Sequence, residues 1–129
     1  MPVINLADVP HETFRDGVTY QTLVGDDRGS TPVRIGIQRT NPGSKTPKHS
    51  HPYLEVLTVL EGHGEAWIED AENLVSLAPG VTLVLPANLK HWFRATGEAP
   101  LVTYGMHASP HRIVNLHEAS FAGAERGGC

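Results

Sequence analysis

Glycine and proline interrupt this chain from end to end, thirteen of the first and ten of the second, and leave only short unbroken runs between them. No segment of roughly a dozen residues, the length a marginal helix needs, carries an apolar stripe of period 3.6. Short β-like runs punctuated by turn residues are instead the pattern of an all-β sandwich or barrel. Strands are predicted over Thr19–Val24, Val33–Thr40, Leu54–Glu61, Glu65–Glu69, Val75–Ala78, Thr82–Leu85, His91–Ala95, Leu101–Met106 and Arg112–Asn115. Period-two alternation puts Val33, Ile35 and Ile37 on one buried face. Asn41 to Ser44 reads as a turn, and Gly62-His63-Gly64 and Ala71-Glu72-Asn73 read as hairpin connections. A short turn of helix is expected within residues 5–14, capped by Asn5 or Asp8, and another within 115–122.

The 129 residues fit one domain, divided here into an N-terminal arm and strands over 1–32, a barrel over 33–118 and a flexible tail over 119–129. A formal charge of −4 gives no electrostatic case for nucleic acid or an anionic membrane as partner. The longest apolar runs, Val56–Leu60 and Val81–Pro86, fall far short of a membrane-spanning helix. Met1 to Asp8 shows neither the basic nor the apolar region of a signal peptide, and the single cysteine, Cys129, forms no internal disulfide. A reducing cytoplasm is the expected compartment.

Eight histidines nearly match the ten lysines and arginines together, and imidazole is the side chain used for metals and for protons near neutral pH. The densest pattern runs Gly43, five residues, His49, one residue, His51, three residues, Glu55, six residues, Gly62. In an extended chain His49, His51 and Glu55 share one face, so two imidazoles and a carboxylate converge. Such a set suits Fe2+, Mn2+, Ni2+ or Zn2+ with coordination positions left open. A solvated His-x-His on a surface strand is the plainer alternative.

These residues resemble the first motif of the cupin superfamily, which they match without a gap. The second motif is similar too: Gly80, Pro86 and His91 stand in place, while Asn88 replaces its glycine and Ala95 its asparagine. Asn tolerates the left-handed conformation better than most residues, so the first change is mild. The resemblance covers about residues 33–107 and implies a small single-domain cupin, a double-stranded β-helix (jelly-roll) barrel. It further implies one divalent transition metal ion held by His49, His51, Glu55 and His91, and a homodimer through paired sheets.

Around that centre, His107 ends a predicted strand and is a candidate acid/base, as are Tyr53 and Tyr104. Arg39 shares parity with Val33, Ile35 and Ile37, so it either turns into the barrel mouth to bind a substrate carboxylate or stays on the surface. Phe93 is pocket wall or barrel core, and Trp67 is interface or core. His11, His63, His111 and His117 have no ligand spacing. The expected function is a metal-dependent enzyme acting on a small carbonyl- or carboxylate-bearing metabolite, by dioxygenase-type cleavage or as a lyase, isomerase or cyclase. The alternative is a non-catalytic module whose metal is structural or holds a small ligand.

Overall fold

A computed structural model describes residues 1–118. After a 3-10 turn at Leu6–Asp8, eleven strands follow: β1 (Glu12–Arg15), β2 (Val18–Val24), β3 (Arg34–Thr40), β4 (His49–Ser50), β5 (Glu55–Glu61), β6 (Gly64–Ile68), β7 (Val75–Leu77), β8 (Thr82–Leu85), β9 (His91–Ala95), β10 (Leu101–His107) and β11 (Asn115–Leu116). They form two antiparallel sheets, ordered β1-β2-β3-β10-β5-β8 and β11-β4-β9-β6-β7. From β3 to β6 and again from β7 to β10, successive strands lie in opposite sheets, which closes the jelly roll. No helix among the described residues is long and apolar enough to cross a membrane.

Most strand positions agree with the sequence reading, and the departures have local causes. Gly62-His63-Gly64 is not a hairpin, because β5 and β6 belong to different sheets. The chain instead turns the barrel corner there, with Gly62 at φ +81° and pressed so close to the Pro100 carbonyl that a Cβ has no room. The connection through Ala71–Asn73 is the true hairpin, joining β6 to β7. Asn5 does cap a short helical turn, its side chain accepting from the Ala7 amide. Within 115–118 the expected helical turn is replaced by β11, whose Asn115 and Leu116 pair with Ser50 and His49. The strand expected at Arg112–Asn115 therefore begins three residues late, and residues 112–114 run as a loop. The proposed tail over 119–129 lies outside the described residues.

Alternation along β3 holds and Ile37 is buried as expected, but the face that meets His107 is the other one. Ile35, Ile37 and Arg39 face away from the barrel interior, and Gln21, paired with Ile37, ties the N-terminal turn onto this outer side by donating to the Leu6 and Val9 carbonyls. The interior receives Arg34, Gly36 and Gln38. The rest of the core is apolar: Leu57 and Val59 from β5, Ala66 and Ile68 from β6, Leu83 and Leu85 from β8, Phe93 and Ala95 from β9, and Leu101 from β10, with Leu85 and Ile68 paired directly to Glu55 and His91. Each large side chain buried there contributes about 1.5–3 kcal/mol. Trp67 is half-buried beside its cross-strand partner Trp92, with Lys48 Nζ 4.7 Å from its ring centroid.

Candidate metal centre and cleft

The inward positions nearest one end of the barrel bring His49 (β4), His51, Glu55 (β5), His91 (β9) and His107 (β10) together, all of them buried. His49 and His91 are direct cross-strand partners, and His107 is the partner of Glu55. Asn88 adopts the left-handed conformation, φ 68°, and its amide donates to the His51 carbonyl at 2.6 Å, which fastens the β8–β9 loop to the centre. Potential ligand atoms lie within 4.8 Å of one another in two overlapping groups, His49–His51–His91 and His51–Glu55–His107.

The hydrogen bonds at the rear of three rings set their protonation. His49 Nδ1 lies 2.7 Å from the Pro47 carbonyl, His51 Nδ1 2.6 Å from that of Ile113, and His91 Nδ1 2.8 Å from that of Leu89. A carbonyl only accepts, so each Nδ1 carries the proton and each Nε2 presents a lone pair inward. Burial, reinforced by the neighbouring His91 and His51, holds His49 well below the ordinary histidine range. Burial by itself would raise the Glu55 carboxyl, but the surrounding imidazoles, His107 foremost, pull it well below the carboxylate range.

A metal ion fits this donor set. The Nε2 atoms of His49, His51 and His91 and both Glu55 oxygens are buried with no hydrogen-bond partner. Glu55 Oε1 lies 3.4 Å from both His51 Nε2 and His91 Nε2, so lone pair faces lone pair. Buried acceptors left like this cost about 1–3 kcal/mol each, and a divalent cation among them removes the conflict.

His107 differs from these three. Its Nδ1 meets the Tyr53 hydroxyl at 2.7 Å, a group that both donates and accepts, and its Nε2 lies 3.3 Å from Glu55 Oε2. Its tautomer is therefore not forced by a carbonyl. Burial lowers its pKa, against the pull of Glu55, so the ring is neutral at pH 7. Tyr53 is buried, stacked on His51 with ring centroids 5.1 Å apart, and its hydroxyl also accepts from the Ile113 amide at 3.3 Å.

Three other sequence candidates are placed elsewhere. Tyr104 lies on the outer face of β10, exposed, because it is one step out of phase with His107 and Gly105; the acid/base role expected of it does not fit that position. Arg39 is likewise on the outer face, donating to Gln21 Oε1, and does not reach the mouth as a carboxylate binder would. Phe93 belongs to the apolar core, its ring centroid 5.3 Å from that of His91. His11, His63, His111 and His117 are all exposed.

Two arginines missed by the sequence reading line a cleft together with Tyr20, Ile37, Gln38, Thr103 and His107. Arg34 is the cross-strand partner of His107, and Arg112 arrives from the loop before β11. The parity of Arg34 with Gly36 and Gln38 was the available signal for the first; no periodicity marks the second. Gly105 opens the space between cleft and centre, since a Cβ there would stand 4.0 Å from Glu55 Oε2.

The family described as Cupin domain matches residues 36–107, more than half of the chain. The chain is 28% identical over 131 residues to auxin-binding protein 1 of Arabidopsis thaliana, covering 94% of this chain and 66% of that protein. It is 30% identical over 97 residues to protein SchB of Streptomyces halstedii, covering 74% of this chain and 69% of the other. The two tobacco auxin-binding proteins that it matches are each spanned over 58% of their length. Among solved structures, the fold is similar to that of the polyketide cyclase RemF from Streptomyces resistomycificus. The TM-score is 0.79 at 19% identity, over 96% of this chain and 90% of that one.

Proposed function

The chain belongs to the cupin family, and from that premise we propose that it is a metal-dependent enzyme moving a proton next to a carbonyl of a small metabolite, in a lyase, isomerase or cyclase reaction. The observation that carries this reading is the contrast between three imidazoles whose Nδ1 is fixed against a carbonyl and a fourth, His107, whose Nδ1 meets the Tyr53 hydroxyl instead. His49, His51, His91 and Glu55 would hold one divalent ion of the Fe2+, Mn2+, Ni2+ or Zn2+ class, and a bound ion supplies Lewis acidity toward a substrate oxygen. His107, neutral and lining the cleft, takes a proton from the carbon beside that carbonyl. Tyr53 orients the ring through its hydrogen bond with Nδ1. Delivery of the proton to a different atom completes the reaction without an oxidant. The resemblance in fold to a polyketide cyclase is consistent with this chemistry.

The test joins elemental analysis with anaerobic turnover. We expect one ion per chain and deuterium incorporation beside the carbonyl of small diketones or keto acids in heavy water, read by proton NMR. Tyr53→Phe keeps the ion and slows exchange by about 10²-fold or more. Oxygen uptake with carbon–carbon cleavage would move the enzyme to the dioxygenase branch. Ligand binding with neither reaction would make it a non-catalytic binding module. A cytoplasmic homodimer is part of the proposal: Val84 and Tyr104 are exposed on the outer face of the six-stranded sheet, suited to a second copy, and light scattering checks the mass.

A further inference from the structure

We propose that the substrate is a small oxo acid whose carboxylate is held between Arg34 and Arg112, beside His107. The inference rests on the function proposed above and names its substrate class. Arg34 and His107 face each other across β3 and β10, so their side chains leave the same face side by side. The loop that carries Arg112 is tied to β3, because Arg34 Nη1 donates to the Pro110 carbonyl at 2.7 Å. Arg112 is held with its Cζ 3.9 Å from the centroid of the Tyr20 ring.

Their charge is the informative part. Arg15 and Arg94 each have a glutamate partner. Arg34 has only Asp27, 3.6 Å away and 89% exposed, and Arg112 has no ion pair among the described residues. The Nε atoms of both are buried without a hydrogen-bond partner. No carboxylate lines the cleft, and the one acid paired with either arginine, Asp27, is 89% exposed. Two half-buried guanidiniums that share only this solvent-screened acid are unfavourable for the empty protein and become favourable when an anion enters. Their planar forks match a carboxylate. Gly36 and Gly105, opposed in the β3–β10 register, leave the cleft floor next to the Arg34–His107 pair bare of side chains. A single small molecule can therefore reach both, with its carbonyl toward Glu55 and His107 and its charge toward the arginines.

The test uses pyruvate, acetoacetate and levulinate, which step the carboxylate progressively away from the carbonyl, each paired with its methyl ester. Thermal unfolding of the whole protein is followed with each probe, as purified and after chelation. We expect at least one acid to raise the midpoint where its ester does not. In Arg112→Gln that preference disappears, or needs at least tenfold more ligand, while ion content stays at the wild-type level. Arg34→Gln should behave alike but also loses the Pro110 contact, so Arg112→Gln decides. Acid and ester indistinguishable in the wild-type protein, an unchanged preference in Arg112→Gln, or inorganic phosphate acting as strongly as the best acid would each overturn the proposal. A wild-type protein that holds no ion yet still separates acid from ester would sink the metal reading and leave the arginine clamp standing.

Discussion

The two ends of the barrel are built from the same strands and differ completely in what they enclose. Along β5 the inward positions run Glu55, Leu57, Val59; along β9 they run His91, Phe93, Ala95; along β10, in the opposite direction, His107, Gly105, Thr103, Leu101. Each strand changes from polar to apolar within a few residues. The apolar end is filled by large side chains that need nothing beyond each other. The polar end holds buried acceptors that nothing in the described chain satisfies. A fold can carry such a deficit when its other half supplies the stability, which is how one small barrel serves as both scaffold and site.

That division can be broken from either side. The largest effect is expected from Glu55→Ala or His51→Ala, which should abolish stoichiometric metal; one ion per chain retained in both variants would refute the assignment of the centre. Phe93→Ala should cost about 3–5 kcal/mol of folding stability in chemical denaturation while leaving the ion content of the folded protein at the wild-type level. Loss of the ion in that variant would show that the two ends are not separable. After chelation, stability should fall as pH drops below about 6.5, the ordinary histidine value. His49 and His107 are held below it by burial, so the unfolded chain takes up protons there that the folded chain refuses. A flat profile from about pH 7 to 5 in the metal-free protein would contradict that account. The smallest effect is expected at Asn88, where glycine should change stability by no more than about 0.5 kcal/mol, because easier left-handed geometry is offset by a freer unfolded chain.

The convergence of His49, His51 and Glu55 was legible because even spacing on an extended segment puts them on one face, while His91 was placed with them by the family resemblance alone. The substitution of Asn88 for glycine was readable in the same way, and the residue does adopt positive φ. Arg39 and Arg34 show where local rules stop. Alternation separates their faces correctly, but which face is inward depends on the N-terminal segment that Gln21 fastens over β3, a contact between distant parts of the chain. Isoleucine on the outer face imitates a core. Tyr53 posed the opposite difficulty: its position between His51 and Glu55 suggested the site, but its partnership with His107 bridges 54 residues and no short pattern encodes it.

The two glycines on the cleft floor are not equivalent. A methyl on Gly36 would press to 2.7 Å from the Gln21 carbonyl, so that position is closed to change. A methyl on Gly105 would meet nothing nearer than 3.9 Å, and the backbone there needs no left-handed conformation. Descendants of this sequence can therefore raise the floor at one point, one carbon at a time, without disturbing either sheet. Under the proposed function, Gly105 is the position at which the size of the accepted metabolite would be set.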